Sequence, residues 1–522
     1  MRQSKRNGHK TPSSTGLDLS LAAFELSTTI RAAISLCLGS LIRPACSAIA
    51  IFASAALLAG GVSAADLPAQ QPTPVQPSAP TANPCFASLY DFAIADPDDC
   101  PLAWNGIRLY GRLDYGVGYE SHGVPFNGDY PNGVETLISK NSNAARFTLV
   151  PNGLGQSHVG VEGQEPIVSD WSLVFKFENG FDPYTLQRAN GPKSLVENNT
   201  TPLDAQTANG DSSRAGQLFN TEAYLGFSHP TYGELTAGRQ NSLIVDGASR
   251  FDPMGAASSF SVLGVSNTVA GGGDTEDARY NTSLKYRVGV GPFHFAGLYQ
   301  FGGFDQGNGS NGAFSLGMTG DFGPLSFGME GEKNKNAVSL SNFGQFPLPA
   351  DVSANALKAT LSNNTSGIFG VRYTFGNAAF YSGWEYILFA NPSDAYPDGF
   401  TTIGNYPVPA GFVNSTAYTE HKILRVFWTG VKYAIWDNLD LAGAYYHYYQ
   451  NDYNTSPCTD GGLSASSCHG ALNAFSAMIS YRPAKRIEAY GGFLWSQVTG
   501  GLASGYLYRT NFAPTIGVRV DF

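Results

Sequence analysis

The last eight residues, "TIGVRVDF", set Ile516, Val518, Val520 and Phe522 against Thr515, Gly517, Arg519 and Asp521 without a slip. Alternation at period two is the pattern of a strand with one apolar and one polar face. The stretch "GIRLYGRLDYGVGY" repeats it, with Ile107, Leu109, Leu113, Tyr115 and Val117 on one face and Arg108, Tyr110, Arg112 and Asp114 on the other. Between these two ends the pattern predicts strands near 155–164, 170–179, 218–229, 233–240, 277–289, 291–302, 312–322 and 324–333. It continues near 367–375, 378–389, 422–434, 438–450, 471–482 and 485–496, which makes about 16 strands in all.

The connections alternate in length. Short turns ("HPTYG", "GVGPF", "DFGPL", "TFGNA", "AIWDN", "YRPAK") take turns with long segments near 120–154, 180–217, 241–276, 334–366 and 390–421. Tight turns at one end and long loops at the other are the layout of an all-β, antiparallel transmembrane barrel. A soluble sandwich would place the apolar face inward. A membrane barrel places it in lipid and leaves the charges in a wet lumen. No stretch after residue 65 is apolar enough for a membrane helix, and only a closed barrel otherwise satisfies its backbone in lipid. Aromatics near strand ends, in "YYHYYQ" (445–450), "FLW" (493–495), Trp384 and Tyr386, suit interfacial girdles.

The first 105 residues read differently. Residues 48–60, "AIAIFASAALLAG", are an apolar run behind Arg43 and ahead of "VSAAD". Thirteen residues are short of the ~20 that a spanning helix needs, so the run is expected to be the core of a secretory signal cleaved near Ala64 or Ala65. A membrane anchor is the other reading, disfavoured by length. Residues 1–64 are thus leader and signal, 65–84 a Pro-rich spacer, 85–105 a Cys-bounded segment and 106–522 the barrel. Within the Cys-bounded segment, "DPDDC" at 96–100 reads as a solvated turn, because it lacks the spacing of a calcium loop.

Composition narrows the chemistry. Removing residues 1–64 takes six basic and two acidic residues from totals of 31 and 41, leaving 25 against 39, a net charge of −14. That balance argues against nucleic acid and for cationic partners. Four cysteines remain, with three connectivities open. In an exported chain, local disulfides Cys85–Cys100 and Cys458–Cys468 are the expected pairing, and no ligand set with metal spacing accompanies them. Histidines are few, and neither G-x-S-x-G nor H-E-x-x-H occurs, so an outer-membrane enzyme is disfavoured.

Several of these stretches, taken in order, resemble the general Gram-negative porins. They are "GRLDYGVGY", "SHVGVEGQEP", "VFKFENGFDP", "AYLGFSHPTYGELTAGRQ", "RYNTSLKY" and the closing "GVRVDF", together spanning about 106–522. The resemblance implies a 16-stranded barrel, three to a homotrimer in the outer membrane, passing small hydrophilic solutes and ions without a cofactor. It implies that the third long loop, Asn241 to Asp277, folds inward with Asp246, Asp252, Asp274, Glu276 and Asp277 facing a basic wall. Candidate wall residues are Arg108, Arg112 and Asp114 on the first strand, Lys176 and Glu178 on the third, and Arg239 ahead of the loop. Beyond the loop, Arg279, Asn281, Ser283, Lys285 and Arg287 share one face by alternation. By the same resemblance, Phe522 is the assembly signal. His158 and Glu222 depart from the family by removing positive charge from candidate wall positions. The acidic balance predicts mild cation preference. The competing readings are a substrate-specific sugar channel, which would want an aromatic ladder where this lumen face is charged or small, and an adhesin or receptor working through its loops.

Overall fold

The structure, a computed structural model, describes residues 88–122, 145–188, 193–202, 205, 218–263, 279–302, 312–344, 347–392, 400–403, 406–454, 467–503 and 507–522. The leader and spacer, Cys85, Cys458, Asp274, Glu276 and Asp277 lie outside the described residues. The chain enters through a short helix α1 (Leu89–Ile94) and a stub β1 (Leu102–Trp104). The first half of the wall is β2 (Ile107–Glu120), β3 (Arg146–Pro151), β4 (His158–Val168), β5 (Trp171–Gly180), β6 (Glu222–His229), β7 (Gly233–Asn241), β8 (Arg279–Val290), β9 (Phe293–Gln300) and β10 (Ala313–Phe322). Helices α2 (Lys193–Glu197) and α3 (Leu243–Phe251) lie in the second and third long loops. The second half is β11 (Leu325–Ser341), β12 (Lys358–Phe375), β13 (Ala378–Ala390), then β14 (Phe400–Ile403), β15 (Tyr406–Val408) and β16 (Val413–Asn414) in a loop. It finishes with β17 (Lys422–Trp436), β18 (Leu439–Gln450), β19 (Gly470–Ala484), β20 (Ile487–Gly500) and β21 (Thr510–Asp521).

Each wall strand pairs antiparallel with the next, and β21 returns to β2 in the register Arg112↔Asp521 to Gly118↔Thr515. β3 and β4 are one strand interrupted at 152–157, since both pair with the same β2. With the stub and the loop strands set aside, the closed wall has 16 strands. Closure satisfies every edge, which a sheet in lipid must do. Alternation sets the faces: Leu109, Tyr115, Val117, Ile516 and Val518 are exposed on the outside, while Asp114, Asn511, Ala513 and Thr515 are buried within.

Two expected loops are shorter than the pattern suggested. The segment near 120–154 includes β3, and much of 334–366 is strand, because β11 runs to Ser341 and β12 starts at Lys358. A register shift between Asn334 and Ala337 carries the ladder past the polar residues that looked like a loop. Above it, Val338, Leu340, Leu357 and Leu361 pack with Val408 of β15 and Leu195 of α2, so this raised corner has its own apolar core.

The third loop lies inside the barrel. Ser242 caps α3 by accepting from the Val245 N–H at 3.2 Å, as short hydroxyl side chains do at helix starts. The helix buries Leu243, Ile244, Gly247, Ala248 and Phe251. Phe251 lies against Gly370, where a Cβ would meet its Cβ and Cγ at 2.5 Å. Only a bare backbone admits the ring there. Onward from Pro253, Met254, Ala257, Phe260, Val262 and Leu263 join one apolar cluster with the inner wall of β17–β20: Trp428, Tyr446, Tyr448, Leu472, Leu494 and Val498. Ser259 N donates to Gly153 O at 2.8 Å, so the loop reaches the break between β3 and β4.

Candidate functional site: the charged lumen wall

Two faces remain to the lumen charges, one near the loop helix and one near the short turns. At the helix, Asp246 accepts from Lys285 Nζ and from an Arg287 guanidinium nitrogen, both at 2.6 Å. Lys285 is 1% exposed and Asp246 32%, so the lysine depends on this carboxylate for its charge. Burial alone would push the Asp246 carboxyl up, but Lys285 and Arg287 outweigh it and hold the group below the usual carboxylate range. Arg250, at the other end of α3, pairs with Asp321 on β10. The three ion pairs fasten both ends of the helix to the wall.

Near the short turns an alternating belt runs strand by strand around the inner face. Arg112 on β2 meets Asp521 at 2.6 Å, and Arg519 on β21 reaches both Asp521 at 3.3 Å and Glu488 of β20. Arg482 on β19 lies 4.0 Å from Glu488 and 2.8 Å from Asp440 of β18. Lys432 on β17 takes the other side of Asp440 at 3.1 Å. Further round, Arg372 of β12 donates to Ser326, which donates to Asp321. All of these residues share the inward parity of their strands, so period-two counting near each short turn would have found them. Of the belt, only Arg112, Arg519 and Asp521 were singled out from sequence.

Beside Arg112 along the same stretch of wall, β2 and β4–β6, Lys176 bonds Glu222 at 2.7 Å and lies 3.7 Å from Glu178. Tyr110 donates to Glu178 at 2.9 Å, and His158 Nε2 is 3.8 Å from it. Arg108 pairs with Glu162 at 3.8 Å and with Asp98 of the Cys-bounded segment at 3.5 Å.

Other candidates are placed differently from expectation. Asp114 is fully buried and accepts from Leu154 N, Gly155 N and Tyr490 Oη, holding the break between β3 and β4 rather than facing water. Asp252 is 2% exposed. It accepts from Met254 N, Ala256 N and Tyr446 Oη, closing the turn after α3, and burial pushes its carboxyl up. Arg239 falls on the outward parity with Leu235 and Ala237, buried against Asn220 O and Asn281. Arg279 and Asn281 leave the face of Lys285 and Arg287. An extra residue at Thr282, which has φ +47°, shifts the register and turns Tyr280 inward to bond Glu332 at 2.5 Å. Arg108, Arg112, Lys176, Glu178, Lys285 and Arg287 keep the inward parity expected of them.

Cys100 and Cys468 are buried and disulfide-bonded. Among the described residues no group of three side chains is arranged to hold a metal ion.

The residues from 45 to 501 match the family model of the Gram-negative porins. The chain belongs to that family. As a Gram-negative porin it resides in the outer membrane, with its short turns on the periplasmic side by the usual layout. An outer membrane porin protein of Bordetella pertussis strain Tohama I is 25% identical over 205 residues, which cover 39% of this chain and 45% of that protein. That match spans less than half of the relative's length. The solved anion-selective porin from Comamonas acidovorans superposes at a TM-score of 0.53 with 16% identity, over 80% of this chain and 99% of its own. A loop-deletion form of OmpT, an outer membrane protein of Vibrio cholerae, superposes at 0.49 with 13% identity, over 80% and 99%. The first of these likenesses supports the barrel fold.

Proposed function

We propose that this porin is a passive diffusion channel for small hydrophilic solutes and ions, acting without chemistry or cofactor. The observation that carries this is the inward parity of the wall: charged side chains line a closed barrel in which apolar residues face lipid. Charges on the lipid side would cost about 2–4 kcal/mol each at mid-depth for Arg or Lys, so the inner parity needs water. Selectivity then follows from width and wall charge. The belt carries Arg112, Arg519, Arg482 and Lys432 against Asp521, Glu488 and Asp440, mostly engaged with one another. Paired charges leave little net field. The acidic surplus of the exported chain, −14, supports a mild preference for cations. By the family likeness the channel works as a homotrimer; the short apolar run at 48–60 supports export through a cleaved signal, and the oxidising compartment supports Cys85–Cys100 and Cys458–Cys468 as local disulfides.

Planar-bilayer recording tests this. Stepwise conductance with a cation-positive reversal potential under a salt gradient is expected. No conductance at all would remove the channel reading, and an anion-selective sign would remove the cation preference.

A further inference from the structure

Residues 88–101, ahead of β1, lie as a strap on the rim at the short-turn end and meet the wall at three cations. Ser88 caps α1 by accepting from Asp91 N at 3.1 Å. The turn after the helix closes on Asp96, whose side chain accepts from Asp98 N at 3.1 Å and whose carbonyl accepts from Cys100 N at 2.9 Å. From this turn Asp98 reaches Arg108 of β2 at 3.5 Å, and Asp96 reaches Lys485 between β19 and β20 at 3.9 Å. Arg108 has inward parity, and the third cation, Arg486, stands two residues before the inward Glu488. The strap therefore sits on the lumen side of the periplasmic rim, under β20, β21 and β2 and next to the charge belt.

Arg486 is the group that holds it. The side chain is 2% exposed. It donates from Nη2 to Cys100 O at 2.6 Å, and its guanidinium carbon lies 4.2 Å from the centroid of the Phe92 ring. Among the described residues neither Nε nor Nη1 has a hydrogen-bond partner. The charges that act on it are Arg108, which repels, and Asp96, which attracts. A guanidinium enclosed in this way relies on an aromatic face and on carboxylates close by, and the strap supplies both.

The strap carries Asp91, Asp96, Asp98 and Asp99 and neither Lys nor Arg. Beneath it stand Arg108, Lys485 and Arg486, with Glu162 of β4 against Arg108 at 3.8 Å. Three cations and one carboxylate leave the bare stretch at +2, and four further carboxylates bring the covered stretch to −2. Asp98 and Asp99 are exposed, so the added charge faces water. The belt above is nearly balanced, and a change of sign at the rim is not masked by it. We propose that the strap inverts the charge of this part of the periplasmic mouth and thereby sets the cation preference of the channel. The proposal rests on the reading of the chain as a channel, and it places the selectivity in a segment outside the barrel wall.

The experiment compares the full chain with the triple variant Asp96→Asn, Asp98→Asn, Asp99→Asn, whose amides keep the acceptors of the turn and lose its charge. Reversal potentials in planar bilayers are read near 0.1 M salt, where screening extends to about 10 Å. The cation-to-anion permeability ratio should fall by about twofold or more. A control with Asp170→Asn and Asp437→Asn removes two acids from other short turns and should leave the ratio in place. Should the triple variant fail to assemble, Asp98→Asn with Asp99→Asn serves instead. The hold of Arg486 is read without any current: in Arg486→Ala, cleavage by chymotrypsin at Tyr90 or Phe92 should run about tenfold faster. An unchanged ratio in a conducting acid variant, an equal fall in the control, or unchanged cleavage in Arg486→Ala overturns the proposal and leaves the channel reading standing. A parent chain that passes no current overturns the channel reading, and this proposal with it.

Discussion

Asp246 is the residue on which the position of the inner loop turns. It is the carboxylate partner of Lys285, which has almost no access to water. Replacing it with Asn leaves that ammonium buried without a countercharge, a loss of about 3–5 kcal/mol for a fully buried pair and less here because Asp246 is a third exposed. Its carboxyl is held low in the folded chain, so its stabilisation is complete above the ordinary carboxylate pKa of about 3.9 and fades as pH falls below that. Melting curves between pH 7 and pH 2 should show this fall in the parent and a flatter line in Asp246→Asn. Glu385 is the opposite case. It is fully buried on β13, and neither carboxylate oxygen has a hydrogen-bond partner among the described residues. Glu330 on β11 and Glu385 on β13 both pair with Ile368 of β12, from its two sides. A neutral amide of the same shape avoids the charge, so Glu385→Gln should raise the melting temperature by several degrees, the equivalent of about 1–2 kcal/mol.

At the scale of strands and loops, alternation was the legible part. It placed the wall strands, because each inward position is fixed by counting in twos from a neighbour in water or lipid. It failed where one residue was inserted. The bulge at Thr282 reverses the parity of Arg279 and Asn281, and no local residue signals it, since Thr is not a residue that favours positive φ. The inner loop was legible only as acidic and long. That Asp252 turns away to close the turn after α3 against Tyr446, and that Asp246 pairs beside itself on the wall instead of across the lumen, depend on contacts distant in sequence. The final strand shows the benefit of seeing both partners. Alternation places Phe522 on the apolar face of the last strand but does not show what it packs against. In the structure its N–H and C=O bond Gly111 at 2.9 Å each, and its ring covers that glycine, with Cε2 2.9 Å from where a Cβ would stand. Deleting Phe522 should lower the yield of assembled barrel by more than tenfold, from the loss of two backbone bonds worth about 1 kcal/mol each plus the ring's burial. Conductance per channel should not change. Heat-modifiable gel mobility and bilayer recording separate the two.

For the whole molecule, the charge belt means that selectivity is a small residue of nearly cancelling terms. Glu488 sits between Arg519 and Arg482. Glu488→Gln should leave Arg519 with Asp521 and Arg482 with Asp440 as their remaining partners and, by removing one negative charge, move the reversal potential toward anions, whereas a substitution on the lipid-facing parity, such as Ile516→Val, should leave it in place. An unmoved potential in Glu488→Gln would mean that ions do not pass near the belt.

The stub β1 has a consequence for how the ring of strands finds its final alignment. β1 pairs with Ile107, Arg108 and Leu109, the same residues whose other edge is taken by β4, so it occupies the edge that β21 uses higher up. The two lie end to end, with Phe522 stopping at Gly111 and Leu102 beginning at Leu109. A one-residue slip of the last strand is forbidden by its side chains, all of which would change face. A two-residue slip keeps every face and is invisible to the hydrophobic pattern. Toward the periplasm, the space for that slip is already filled. β1 is therefore a buffer stop: it denies the closing strand the periplasm-ward alignments that its own sequence would accept.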